Sequence, residues 1–107
     1  MKEMDNIEFY RDSIKLILDV QATDGSITWE KGTKLDPWDH IEGAMALSVA
    51  GEIEGAKKAY EWMQLNQEEV GGWFSEYKSG EPSKRRIETN FAAYIGVGIW
   101  HFYLITK

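Results

Sequence analysis

The feature that most constrains this chain is a short internal repeat. Residues 21–27 read QATDGSI and residues 67–73 read QEEVGGW, so both follow the pattern Gln-x3-Gly-x-large apolar residue, 46 positions apart. The same offset places Ile41 on Ile87. A repeat of this period is typical of stacked helical hairpins, in which each unit buries apolar surface against the next one. The repeat therefore predicts a helical array.

Hydrophobic periodicity divides the chain into four predicted helices. They cover about residues 5–21, 36–51, 53–67 and 87–106. The first and third have a charged face, whereas the second and fourth contain long uncharged stretches and must be covered on several sides. Asp36 followed by Pro37 is a helix-start signal, because the carboxylate caps free N–H groups and proline needs none. The predicted fold class is all-α, with two tandem αα-hairpins (about 5–51 and 52–107) in one domain, 1–107.

Composition excludes several classes of protein. The 107 residues carry a net charge of −6, which argues against nucleic-acid binding, since that needs an excess of Lys and Arg on one face. The chain has no cysteine, so disulfides and thiolate-bound zinc are excluded and a cytoplasmic location is predicted. Residues 89–106 contain no Asp, Glu, Lys or Arg, as a membrane span would. The apolar stretch is, however, interrupted by Asn90, Gly96, Gly98 and His101, so a helix buried within the protein is favoured over a membrane span.

One stretch resembles a known family. Residues 62–73, WM-x3-Q-x3-G-x-W, resemble the QW motif of squalene-cyclase and prenyltransferase-like α/α toroids, and residues 16–27 are a weaker copy with Ile27 in place of Trp. Residues 36–42, DPWDHIE, are similar to a signature of bacterial proteins loosely labelled prenyltransferase-like. The resemblance implies an α/α-toroid fold of two hairpins, in which Gln67 and Trp73 staple neighbouring hairpins together. The DxDD acid and the Asp/Cys/His zinc site of that superfamily are both missing.

Acidic residues cluster near the starts of the uncharged helices. Asp39, Glu42 and Glu88, with His40 beside them, are the candidate catalytic residues. Paired carboxylates in a partly apolar opening suit glycoside hydrolysis, because one carboxyl group stays protonated while the other is ionised. Each residue also has a structural alternative. These alternatives are helix capping by Asp39, structural ion pairs of Glu42 and Glu88, and a polar position at the rim for His40. His40 lies one residue after Asp39 and two before Glu42, spacings that point it away from both acids on a helix, so no metal site and no cofactor are predicted.

Aromatic residues gather in and beside the two long connections, residues 22–35 and 68–86. Together with one amide, they are the candidate ligand-binding residues: Trp29, Trp38, Trp73, Tyr77 and Asn90. Aromatic rings mixed with acids suit the apolar faces of sugars, and ring quadrupoles suit isoprenoid cations. Packing within the core is the alternative, above all for Trp73. The predicted small-molecule ligand is therefore a glycan or an isoprenoid.

The last predicted helix creates a need for a partner. It is apolar on every side, and no further outer helix follows it to cover it. Two hairpins are fewer than the three or so that such stacks normally need. The uncovered surface predicts either that this sequence is the N-terminal piece of a longer toroid or that copies of it associate. Three copies would match a twelve-helix toroid, but the favoured prediction is a homo-oligomer, most simply a dimer. Two functions stay open: an enzyme acting on a carbohydrate or isoprenoid, and a helical assembly module without catalytic activity.

Overall fold

The structure is a computed structural model that describes residue 8 and residues 10–107. Within these residues the chain forms four helices and three strands. In chain order they are α1 (Arg11–Val20), β1 (Lys34–Leu35), α2 (Pro37–Val49), α3 (Ile53–Leu65), β2 (Phe74–Lys78), β3 (Glu81–Ile87) and α4 (Thr89–Thr106). The four helices are confirmed. Residues 5–7 and 9 of the first predicted helix lie outside the described residues.

The predicted all-α fold class is wrong, because much of the second long connection is a β-hairpin. Strands β2 and β3 pair antiparallel, and β1 adds to the other edge of β2, giving the order β1-β2-β3. Ser79 and Gly80 join the two long strands, and both have positive φ (52° and 80°). Such two-residue turns match the twist of paired strands. The fold is therefore α+β, and the predicted α/α-toroid type is wrong with it.

Helix α2 begins where the sequence predicts. Asp36 is its N-cap, and its Oδ1 accepts hydrogen bonds from the backbone N–H groups of Trp38 (2.8 Å) and Asp39 (3.2 Å). Pro37 occupies the first turn of the helix. Partial burial raises the pKa of the Asp36 carboxyl group. This cap therefore fixes where α2 begins, three residues before Asp39.

The internal repeat corresponds to two turns with the same backbone geometry. Gly25 and Gly71 both have a φ of 94°, and Gln21 and Gln67 each donate through Nε2 to the carbonyl of the glycine four residues later. Gln21 also donates to Gly55 O of α3, at 2.9 Å. The first copy of the repeat has Ile27 where the second has Trp73, so the sequence did not show whether Gln21 also holds two hairpins together. In the structure Gln21, and not Gln67, makes the additional contact with another helix.

Helix α2 lies at the centre of the core and packs against α1, α3 and α4. One apolar cluster joins α2 to α3 through Ala44, Leu47 and Ala56, with side chains of α1 on its edge. A second cluster joins α2 and α3 to the sheet, and its buried members are Leu35, Ile41, Trp62, Met63, Trp73 and Tyr77. The sheet thus closes the core beside the start of α2.

Helix α4 is covered on one side only. Its buried residues are Phe91 and Gly98, whereas Trp100 is 60% exposed. In the described part of the chain, no helix is long and apolar enough to cross a membrane.

Candidate functional site: a cleft beside the start of α2

A cleft of about 610 Å³ lies between α1, the first long connection and α2. It brings together three of the predicted site residues, Trp29, Asp39 and Glu42. One wall is apolar, and the side chains on it are Leu16, Ile17, Val20 and Ile27. The remaining lining residues are Thr28, Glu30, Lys31 and Gly43. The cleft therefore combines an apolar wall, an exposed aromatic ring, three carboxylates (Glu30, Asp39 and Glu42) and the ammonium group of Lys31.

Gly43 forms part of the cleft floor because it leaves room for Ile27. A Cβ atom at position 43 would lie 3.2 Å from Ile27 Cδ1 and 3.3 Å from Ile27 Cγ2. Contacts this short are tighter than normal packing, so a larger residue would displace Ile27 from α2. The floor of the cleft therefore depends on a small residue one turn after Asp39.

Trp29 is held by a tight turn in the first connection. Its backbone N–H donates to Lys34 O at 2.9 Å, and the Thr33 hydroxyl accepts from the Glu30 N–H and donates to Glu30 O. The Lys34 ammonium lies 3.8 Å from the centroid of the indole ring. Trp29 is 55% exposed, so part of the ring remains open to a ligand. A flat, oriented ring of this kind can stack against the apolar face of a sugar.

Helix α4 holds Glu42 at the edge of the cleft. The Tyr94 hydroxyl donates to Glu42 Oε2 at 3.3 Å, and the Tyr94 ring stacks on Trp38 with centroids 3.8 Å apart. Burial, followed by the Glu42 carboxylate, raises the pKa of the Tyr94 hydroxyl. Trp38, a predicted ligand-binding residue, therefore uses one face to position Tyr94. Sequence analysis missed Tyr94, since 52 residues separate it from Glu42.

His40 is fully buried between the first connection and α3. Its Nδ1 accepts from the Ile27 N–H at 3.0 Å, and its Nε2 lies 2.8 Å from Ala59 O. A carbonyl can only accept, so the hydrogen is on Nε2 and the ring is neutral. Burial lowers the pKa of His40 to about 4. With both nitrogens engaged, His40 fixes the cleft residue Ile27 in place and offers no free nitrogen to a ligand.

The remaining predicted site residues do not line this cleft. The Trp73 indole is 3% exposed, and its Nε1 donates to Met63 O at 2.8 Å. Tyr77 is 2% exposed, and its hydroxyl accepts from the Phe74 N–H. Glu88, at the start of α4, forms an ion pair with Arg86. Asn90 is exposed in the first turn of α4.

One buried carboxylate was missed by sequence analysis. Glu76 of β2 is 7% exposed, accepts a hydrogen bond from the Ser83 hydroxyl at 2.8 Å, and pairs with Lys34 (3.5 Å) and Lys84 (3.8 Å). The Ser83 hydrogen bond, followed by the lysines, lowers the pKa of Glu76. Lys34 lies between the Glu76 carboxylate and the Trp29 ring. Glu76 therefore connects the sheet to the cleft through Lys34.

No group of three or more His, Asp or Glu side chains is arranged to hold a metal ion among residue 8 and residues 10–107.

Comparison with known proteins found a relative that matches most of this chain. The chain is 40% identical over 96 residues, 90% of its length, to a protein of Mycolicibacterium hassiacum named MMP endo-(1,4)-3-O-methyl-alpha-D-mannosidase. The chain spans about a quarter (27%) of the length of that relative. No protein-family model matches the chain. The prenyltransferase and squalene-cyclase resemblance is therefore wrong: the similarity found is to a mannosidase, and the fold contains a sheet.

Proposed function

We propose that the cleft beside the start of α2 binds a (1,4)-linked, 3-O-methylated α-mannoside. The observation that carries this proposal is the meeting of Trp29, Asp39 and Glu42 in one cleft. Stacking on an exposed indole and hydrogen bonding to carboxylates are together how a site recognises a sugar ring. The similarity to a protein named as a 3-O-methylmannosidase supports this choice over an isoprenoid.

The apolar wall of the cleft suits a methylated sugar. Leu16, Ile17, Val20 and Ile27 offer no hydrogen bond from their side chains to a free hydroxyl, whereas they can cover a methyl ether. Burying one methyl group contributes about 0.8 kcal/mol, which corresponds to roughly fourfold in affinity. We therefore expect the methylated mannoside to bind more tightly than its unmethylated counterpart.

Asp39 and Glu42 are the acids proposed to act on the bound glycoside. They lie three residues apart on α2, a spacing that places side chains on one helical face. In glycoside hydrolysis one carboxyl group protonates the leaving oxygen. The other carboxylate either takes a proton from the water that attacks the anomeric carbon, or attacks that carbon itself to form a glycosyl ester that water then hydrolyses. We assign these roles to Asp39 and Glu42 as a pair. Binding in the cytoplasm is part of the same proposal, from the absence of cysteine.

Calorimetric titration with a (1,4)-linked 3-O-methyl-α-mannoside oligosaccharide tests the binding step. Trp29→Ala should weaken binding at least about fivefold, because stacking on an aromatic ring contributes about 1 kcal/mol or more. Ile105→Ala is the control, since Ile105 is an exposed apolar side chain (41%) near the end of α4 and does not line the cleft. Equal affinities of the two variants would contradict the proposed site.

Release of reducing ends from the same oligosaccharide tests the chemical step. Asp39→Asn and Glu42→Gln should abolish release while leaving binding within a few-fold, and Glu54→Gln, an exposed acid of α3, should leave both unchanged. Binding without release by the unchanged chain would support a binding module and contradict the catalytic roles. Absence of binding would contradict the whole proposal.

A further inference from the structure

Two uncharged apolar surfaces lie open at the two ends of the helical array. The first, the α4 face, consists of exposed side chains on the outer side of α4: Val97, Trp100, Tyr103 and Leu104. The second, the α1–α2 groove, encloses about 480 Å³, and its main lining residues are Tyr10, Ile14, Ile17, Met45, Ala46 and Val49. Open apolar surfaces of this kind mark interaction sites.

The chain contains an internal example of how such surfaces are covered. Within the chain, α4 packs on α2, and α3 packs on the turn that contains Gln21 and Gly25. The fit at this turn is close, because a Cβ atom on Gly25 would lie 2.2 Å from Lys58 O of α3. The second repeat therefore covers the first with two helices: the outer helix α3 packs on the Gln21 turn, and the inner helix α4 packs on α2.

The second repeat has the same turn without its cover. Gln67 makes one side-chain bond, to Gly71 O, where Gln21 makes two. A Cβ atom on Gly71 would meet no atom closer than 4.0 Å, in contrast to the 2.2 Å contact at Gly25. In the part of the chain that the structure describes, no helix packs on this turn as α3 packs on the first one. A cover for the second repeat would again consist of one outer and one inner helix.

We propose that copies of this chain associate head to tail, with the α4 face and the Gln67 turn of one copy packed against α1 and α2 of the next. Helices α1 and α2 then occupy the places that α3 and α4 occupy within a chain, and Trp100 enters the α1–α2 groove. One contact thus covers both open surfaces. A repeated contact between unlike surfaces produces a ring if its rotation closes and a filament if it does not.

The internal repeat favours a second copy as the occupant, because α1 and α2 form the hairpin that corresponds to α3 and α4, and charge limits where two copies can meet. Charged residues make up 28% of the sequence and the net charge is −6, so two copies repel each other over most of their surfaces. Residues 89–106 contain no charged side chain, and neither does the lining of the α1–α2 groove. The two surfaces that meet in the proposed contact are therefore those on which like-charged copies can approach closely.

A complementation experiment tests the head-to-tail contact. Val49→Glu places a charge in the groove and Trp100→Glu places one on the α4 face; both side chains are more than half exposed, so the fold should tolerate either change. Sedimentation velocity should show the unchanged chain as an oligomer and each variant as a single chain. An equimolar mixture of the two variants should form a species of two chains, because one intact groove and one intact α4 face remain.

The control for a charge on an exposed apolar position is Leu16→Glu. Leu16 of α1 is exposed to an extent similar to that of Val49 and Trp100 but lies outside the groove, so this change should leave the oligomer intact. Circular dichroism checks the fold of every variant. A single-chain species up to about 1 mM of unchanged protein would overturn the proposal, since it sets the Kd above about 1 mM. If each variant alone is a single chain but the mixture of the two forms no two-chain species, the contact joins the same surface on both copies. That result would also overturn the head-to-tail proposal.

Discussion

At the scale of single residues, His40 contributes most to holding the cleft together. It joins three segments: its own helix α2, the first connection through the Ile27 N–H, and α3 through Ala59 O. Because the ring is buried and neutral, protonation requires it to leave the core or to carry a charge there. His40 is therefore the residue through which mild acid acts on this fold.

The stability of the protein should fall as the pH falls from about 6.5 to about 4. The pKa of His40 is lowered from 6.5 to about 4 in the folded chain, so between these values the unfolded chain binds the additional proton. The stabilisation is complete above pH 6.5, and about 3 kcal/mol of the unfolding free energy is lost by pH 4. Urea unfolding at a series of pH values measures this slope.

His40→Gln should remove most of that slope, and it should lower the unfolding free energy at pH 7 by about 1–3 kcal/mol, since two buried backbone groups lose good partners. His101→Gln retains His40 and should keep the slope. An unchanged slope in His40→Gln would mean that other groups cause the acid sensitivity.

Residue roles in the cleft were only partly predictable from the sequence. Trp29, Asp39 and Glu42 were selected by residue type and position, and the structure places them in one cleft. His40 and Trp73 were selected for the same reasons, yet both are buried, because a polar ring atom can be satisfied by backbone groups far away in the sequence. Tyr94 and Glu76 depend on long-range contacts, which one sequence does not show.

At the scale of elements, the hairpin explains the error in fold class. Residues 68–86 were interpreted as a loop because of their Gly, Ser and Pro content and their place between two helical patterns. Ser79-Gly80 is a two-residue hairpin turn, and Tyr77 and Lys78 pair with residues of both neighbouring strands. Glu76 pairs with Lys84 of β3 and forms an ion pair with Lys34 of β1. The strands are stabilised by these cross-strand pairs, so local propensity alone did not reveal them.

The two repeated turns should differ in their contribution to stability. Gln21→Ala should lower the unfolding free energy by about 1–2 kcal/mol, because a partly buried side chain loses its bonds to Gly25 and to Gly55 of α3. Gln67→Ala, the matched change in an exposed turn with one bond, should cost about 0.5 kcal/mol or less in the single chain. Thermal unfolding at low protein concentration compares the two, and equal losses would contradict the different roles of the turns.

At the scale of the whole molecule, stability should be distributed unevenly. Helix α1 has no buried residue, whereas α2 and α3 contribute six and five buried residues. Elements with little buried apolar surface open at a lower free energy than the global unfolding reaction. Helix α1 is attached to the core by its apolar stripe and by Gln21 at its end, and it forms part of both the cleft and the α1–α2 groove.

Hydrogen exchange should therefore detect α1 as the least protected helix and α2 and α3 as the most protected ones. In the unchanged chain, protection of α1 should rise with protein concentration, because the α4 face of a second copy covers the groove beside it. In Val49→Glu, which keeps its fold but loses the contact, protection of α1 should be independent of concentration. If α1 were as protected as α2 in the single chain, its apolar stripe would already be covered, and there would be no physical need for a neighbouring copy.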